Sequence, residues 1–319
     1  MSERAPEALL WDFLRGAMMT QALAVVCELG IPRALAGGPR PVADLAREGD
    51  VDEDALHRVL RALASDGVFA EQEGRVFANT AASEVAGAEA WTSFAHLFGG
   101  VFYGAVDDLA EAVRNGDATF EERFGAEFWP WLASHPKERD EFDRAMGGGN
   151  DRGAEQLAGL EWRDGEVIVD VGGGNGSLLL GLLRRKPSLR GIVFDLPETN
   201  RDESSFPERL EFVEGDFFER APRGDAYLLS GILHDWDDER AAVICRTIRA
   251  AASPGARLLI RDSVIPPGNE PEGGKWLDLL MLVLAGGRER TEAEWRRLLG
   301  STGFDVEQIE SGLIQARCR

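Results

Sequence analysis

Val167-Ile-Val-Asp170-Val-Gly172-Gly-Gly174-Asn-Gly176-Ser177 is the stretch from which the rest of the chain can be read. A β-branched run closes on an acidic residue, four glycines follow within five positions, and a leucine-rich helical pattern begins directly after them. This is a strand turning tightly into a helix. Glycine there lets backbone amides approach a ligand, and the helix N-terminus contributes partial positive charge. The spacing narrows the choice of ligand. A dinucleotide fingerprint, G-x-G-x-x-G, read from Gly172 demands Gly or Ala at position 177, where this chain has Ser177.

Downstream, strand-like segments at 191–194, 210–213, 226–232 and 257–260 alternate with helical ones, including a helix from Asp237. The alternation predicts an α/β fold over 153–319: a Rossmann-like, doubly wound, mostly parallel sheet with ligands at the carboxyl ends of its strands. Asp195 ends the second strand, where a carboxylate can accept both hydroxyls of a ribose.

Upstream, 12–36 reads as helical with a stop at Gly30-Ile-Pro32. A short helix starts at Pro41, and a second covers 52–63 with Asp52 as N-cap. Two strand-like pieces, 68–70 and 75–78, flank the turn-prone Glu71-Gln-Glu-Gly74. Helix, turn, helix, hairpin is the order of a winged helix, placed at 1–90. Such modules commonly bind DNA, but residues 1–85 hold fourteen acidic and eight basic side chains. That is the wrong sign for a phosphate backbone, so the expectation is a mainly helical dimerisation domain. Residues 91–152 are helical and rich in aromatics, a region expected to help wall an acceptor pocket, with Gly147-Gly-Gly149 as a hinge.

The 319 residues carry a formal net charge of −21 and a pI near 4.7, which disfavours nucleic acid and anionic membrane as partners. The apolar run at 279–285 is too short to cross a bilayer, and a soluble, cytoplasmic protein is expected. Cys27, Cys245 and Cys318 are scattered without a CxxC pair or nearby His, so neither a disulfide framework nor a metal site is indicated.

The fourth strand ends in Leu233-His234-Asp235-Trp236-Asp237-Asp238-Glu239. Together with G-x-G-x-G behind Asp170, Phe142-Asp-Arg-Ala-Met146 and Gly286-Gly-Arg-Glu289-Arg-Thr291, it resembles the caffeic acid type of class I S-adenosylmethionine-dependent O-methyltransferases and their bacterial natural-product relatives. With the winged-helix start, the resemblance covers nearly the whole chain. It implies that S-adenosylmethionine, leaving as S-adenosylhomocysteine, sits on Asp170, Gly172, Gly174, Gly176, Asp195 and Leu196. It places Asp216 on the adenine amino group, Phe217 on the ring, and Trp236 against the cofactor. Ser230 takes a position where plant relatives carry Lys. Phe142, Met146, Met281 and Leu284 match positions lining the pocket of a small aromatic acceptor, and a homodimer is implied.

Chemistry explains the histidine. A methyl sulfonium is already electrophilic, but a phenol of pKa about 10 is protonated at neutral pH and needs a general base, a role suited to an imidazole of pKa about 6.5. Of the four histidines, His57, His96 and His135 lie in the N-terminal helices, which leaves His234. A base works best when a carboxylate fixes its tautomer. The family supplies two acids for this, matched here by Glu289 and by Asp262, whose shorter arm stands where many relatives have Glu. Asp235 reads as a cap for the helix that follows.

Three other readings stand beside methyl transfer. One is a relative that binds the cofactor but hydroxylates, decarboxylates or runs pericyclic chemistry. The others are a ligand-responsive winged-helix regulator and a nicotinamide dehydrogenase. His234 with Glu289, the acidic surface and Ser177 weigh against them in turn.

Overall fold

A computed structural model of the chain describes residues 5–197, 199 and 207–319. The backbone forms two units: residues up to Gly104 with Lys137–Gly148, and Ala105–Pro136 with Gly149–Arg319. Of residues 91–152, 91–104 and 137–148 belong to the first unit, and 105–136 and 149–152 to the second.

The first unit runs α1 Pro6–Glu28, α2 Ile31–Ala34, β1 Arg40–Pro41, α3 Val42–Gly49, α4 Glu53–Ser65, β2 Phe69–Gln72, β3 Val76–Asn79, α5 Ala81–Ala86 and α6 Glu89–Gly99. The helix expected over 12–36 breaks in two at Gly30, which takes φ 66°. Asp52 caps α4 by accepting the Ala55 N–H at 2.8 Å. Leu56, Leu60 and Leu63 then face Val26, Leu45 and Phe77 in a closed core. A strand that the reading missed, β1, pairs with β3 and makes the wing three-stranded.

The opposite face of α1 is uncovered, with Leu10, Trp11, Phe13, Leu14 and Met18 all exposed. By length and composition α1 suffices to cross a membrane, which the run-length criterion overlooked because Asp12 and Arg15 interrupt it. Those two residues pair with each other at 3.0 Å, and Arg15 reaches Asp66 at 2.7 Å.

α7 Val101–Val106 leads into the second unit and to α8 Leu109–Asn115, α9 Phe120–Phe124 and α10 Phe128–Ser134. α11 Pro136–Gly147 then runs back into the first unit. Phe120, Phe128 and Trp131 meet edge to face at 5.3 and 5.5 Å and are buried, so much of the aromatic signal here is core.

The rest of the second unit is α12 Asn150–Ala158, β4 Val167–Val171, α13 Ser177–Arg185, β5 Arg190–Asp195, β6 Leu210–Glu214, β7 Ala226–Ser230, a 3-10 turn Leu233–Asp235, α14 Asp238–Ala251, β8 Arg257–Arg261, α15 Gly274–Ala285, α16 Glu292–Ser301, β9 Phe304–Glu310 and β10 Leu313–Cys318. The sheet order is β6-β5-β4-β7-β8-β10-β9, and the strands from β6 to β8 are parallel. β10 runs antiparallel to both β8 and β9, a pair absent from the sequence reading. Apolar side chains cover both sheet faces: Ile168 and Val193 meet Leu179 and Leu182 on one, Val169 and Phe194 meet Ile244 and Trp295 on the other. Strand order reverses beside β4, which opens a crevice at the carboxyl ends of β4 and β7.

Candidate active site

The glycine turn after β4 has the geometry its sequence calls for. Gly172, Gly174 and Gly176 take φ of 71°, 57° and 75°, a region unfavourable to side chains with a Cβ. A Cβ on Gly172 would lie 2.5 Å from Ile232 Cδ1, and one on Gly173 would lie 2.7 Å from Asp170 Cγ. The Gly174 N–H donates to Asp195 Oδ2 at 2.7 Å, while Asp195 Oδ1 accepts from the Leu196 N–H and the Thr199 hydroxyl at 2.7 and 2.9 Å. The Asp195 carboxylate is thus held in one orientation at its strand end. Leu196 beside it is exposed.

Asp170 is buried with Oδ2 lacking a hydrogen-bond partner. Burial, with a smaller push from Asp195, raises its carboxyl from 3.8 to about 7, against the pull of Arg261. Asp216 accepts the Phe218 N–H at 2.8 Å. Phe217 packs edge-on to Trp236 at 6.2 Å, and Trp236 also meets Phe218 at 4.9 Å and lies under the Arg240 guanidinium at 4.7 Å. Ser230 Oγ accepts from Arg261 Nη1 at 2.9 Å. A cradle that only glycine leaves open, an oriented carboxylate, a buried unpartnered one and an aromatic wall together fit an adenosyl group with an amino-acid tail.

One step along β7, the 3-10 turn presents His234. Its Nδ1 lies 2.7 Å from Glu289 Oε1, and the Glu289 side chain is fully buried. A carboxylate on Nδ1 keeps a proton on that nitrogen, so Nε2 is the atom that can accept one when the ring is neutral. Nε2 is 3.5 Å from Asp235 Oδ1. This corrects the expectation that Asp235 caps the next helix: Asp237 does so, accepting the Arg240 N–H at 2.7 Å, and Asp235 is turned inward onto the imidazole. Asp262 also departs from expectation. Its Oδ1 accepts the Gly231 N–H at 2.9 Å, and it acts on His234 through charge alone. The shorter arm does not reach the ring.

Burial by itself lowers the proton affinity of His234. Asp235, the Glu289 hydrogen bond and Asp262 outweigh it, and the imidazole rises from 6.5 to about 10. Burial in turn holds Asp235 up at about 7 and raises Glu289.

Two residues to which the sequence reading gave no role hold this turn. Arg290 has no exposed surface. It donates from Nη1 to the Leu233 carbonyl and from Nη2 to the Trp236 carbonyl, both at 2.8 Å, and from Nε to Asp238 at 2.8 Å. Its guanidinium therefore clamps the backbone on both sides of His234. Gly287 passes directly under that backbone, and the Arg288 N–H donates to the His234 carbonyl at 2.8 Å. The available signal was the Gly-Gly-Arg-Glu-Arg run itself, in which only Glu289 had been given a role.

Of the four expected pocket residues, Phe142 and Met146 lie one turn apart on α11 in the first unit, and Met281 and Leu284 are buried in α15 of the second. Within the second unit, His234, Gly231, Arg261, Asp262, Gln156 and Ser311 line a cavity of about 430 Å³. Among the described residues, no group of three or more His, Cys, Asp or Glu is placed to hold a metal ion.

A family model for an O-methyltransferase domain matches residues 106–305, and one for an O-methyltransferase dimerisation domain matches residues 11–86. The chain is 36% identical to a phenazine O-methyltransferase of Lysobacter antibioticus, over 97% of this chain and 96% of that protein. It is 36% identical to a mitomycin biosynthesis 6-O-methyltransferase of Streptomyces lavendulae, over 95% and 90%. Among solved structures, an O-methyltransferase from neocarzinostatin biosynthesis, in complex with S-adenosylhomocysteine and 1,4-dihydroxy-2-naphthoic acid, is similar with a TM-score of 0.78 and 29% identity, covering 94% of this chain and 96% of that one.

Proposed function

The chain belongs to the S-adenosylmethionine-dependent O-methyltransferases of natural-product biosynthesis, and from that premise we propose that it methylates a phenolic hydroxyl of a small aromatic acceptor with His234 as general base. The observation that carries this reading is the 2.7 Å contact between His234 Nδ1 and Glu289, with His234 lining the same cavity as Gly231 and Asp262.

When bound, S-adenosylmethionine supplies a methyl group activated by a sulfonium cation. Asp195 holds the ribose, Asp216 and Phe217 the adenine, and Asp170 the ammonium of the amino-acid tail, in the crevice made by Gly172, Gly174 and Gly176. Trp236 closes the aromatic wall beside Phe217. Nε2 of His234 takes the phenolic proton, and Glu289 stabilises the imidazolium that results. The three acids around His234 hold its proton tightly. The fraction of the enzyme with Nε2 free to accept a proton, and with it the rate, therefore rises with pH toward about 10.

A homodimer is part of this reading. It rests on the dimerisation match at 11–86 and on the uncovered apolar face of α1.

Calorimetric titration with S-adenosylhomocysteine tests the cofactor site. Wild type binds, and Asp195→Ala loses most of its affinity. Phenolic acceptors are then screened for methylation, with His234→Ala expected to bind cofactor and not to turn over. A wild type that takes up no S-adenosylhomocysteine would refute the reading.

A further inference from the structure

The catalytic cavity contains a cation that the mechanism above does not use. Arg261 ends β8 directly opposite Ser230 of β7 in the parallel register. Side chains alternate along a strand, so Arg261, Ser230 and Asp170 emerge on the same sheet face as Leu259, Leu228 and Ile168. The guanidinium is pressed onto α12: a Cβ on Gly153 would lie 2.4 Å from Arg261 Cζ. Glycine at 153 is what makes room for it.

Its donors are largely unspent. Nη1 donates to Ser230 Oγ. Nε is buried without a hydrogen-bond partner, and no ion pair among the described residues engages the group. Burial lowers the proton affinity of Arg261, and Asp170 and Asp262 offset this only through space. This half-buried guanidinium has lost part of its hydration without gaining a direct counter-ion among the described residues. It lines the same cavity as His234. The ligand group whose shape and charge match a planar fork of N–H donors is a carboxylate.

We propose that Arg261 is the carboxylate-binding residue of this active site. The assignment rests on the methyl-transfer reading and adds a ligand group to it. Two carboxylates can reach such a cavity. One is on the amino-acid tail of the cofactor, whose ammonium would face Asp170 on the same sheet face while its carboxylate faces Arg261. The other is on the acceptor, as in a hydroxylated aromatic acid.

The test is calorimetry on the full-length wild type, Arg261→Met and Arg261→Lys with two matched pairs of probes. The cofactor pair is S-adenosylhomocysteine and its decarboxylated counterpart. The acceptor pair is 1,4-dihydroxy-2-naphthoic acid and its primary amide, titrated with S-adenosylhomocysteine present. Wild type should prefer the carboxylate member of one pair by on the order of tenfold or more, the scale of one charge-assisted bidentate contact. Arg261→Met should lose that preference while still binding the neutral member, which shows that the fold is intact, and Arg261→Lys should recover part of it. Loss in the first pair assigns the cofactor tail, and loss in the second assigns the acceptor. Equal discrimination by wild type and Arg261→Met in both pairs would overturn the proposal alone. Failure of the wild type to bind S-adenosylhomocysteine would overturn the methyl-transfer reading and this one with it.

Discussion

Gly287 lies so close beneath His234 that a Cβ built on it would stand 2.2 Å from the His234 carbonyl oxygen. The backbone that carries the base therefore rests on a segment that tolerates no side chain at that point. Gly287→Ala must push the turn away and displace the imidazole, although no catalytic atom has been removed. We expect kcat to fall on the order of 10²-fold, the usual effect of a displacement near 1 Å. Calorimetric affinity for S-adenosylhomocysteine should fall far less, since of its expected ligands only Trp236 lies beside the displaced turn. A variant with unchanged kcat would show that the turn is not held from below.

Glu289→Gln separates orientation from charge. An amide still accepts from Nδ1, so the ring stays in place, but one of the acids that hold the His234 proton is gone. The rate should drop by about 10²–10⁴-fold. The acid limb of the kcat/KM profile should also move to lower pH, because the imidazole falls from about 10. A limb that moves upward would contradict the electrostatics described for the site.

Asp170 gives a stability prediction of definite sign. Its carboxyl rises from 3.8 unfolded to about 7 folded. The stability it contributes is thus fully present below 3.8 and is lost as pH rises through about 7. Asp170→Asn removes that loss. The unliganded variant should melt several degrees above wild type at pH 8, with the difference gone at pH 3.5, while its affinity for S-adenosylhomocysteine falls. Scanning calorimetry at the two pH values checks it, and a variant less stable than wild type at pH 8 would refute the assignment.

The uncovered face of α1 makes the oligomeric state testable. Leu14 is 71% exposed and Trp11 58%, a concentration of apolar surface that a monomer does not normally leave in water. Leu10→Glu with Leu14→Glu should halve the mass measured by sedimentation equilibrium without unfolding the core around Leu56, Leu60 and Phe77. A wild type already monomeric would remove the dimer from the account.

The proposed cofactor side of the site can be read from the sequence because its parts are local. Asp170 and Asp195 lie at the carboxyl ends of β4 and β5 and Asp216 just beyond β6, and the glycines report their own left-handed backbone, so position along the chain translates into position along the sheet edge. The catalytic side was only half legible. His234 and Glu289 came through as residue types suited to a base and its partner. Asp235 was misread because an acid ahead of a helix is usually a cap, and nothing in the sequence tells which of Asp235 and Asp237 turns outward. Arg290 and Arg261 were missed for a different reason. Arginine is a surface residue by default, and what makes these two functional is burial by elements far away in sequence. β9 escaped notice because as an edge strand it alternates weakly, with mostly exposed side chains over Phe304–Glu310.

The placement of β10 between β8 and β9 bears on how the molecule comes into being. During synthesis, β8 can pair with β7 as soon as both have left the ribosome, but its other edge stays open until residues 313–318 have been made. Arg290 and Glu289, which lock the His234 turn, emerge only some fifty residues after it. Until then β8 keeps a bare edge, and the His234 turn lacks the residues that hold it. That is the stage at which a chaperone has most to protect.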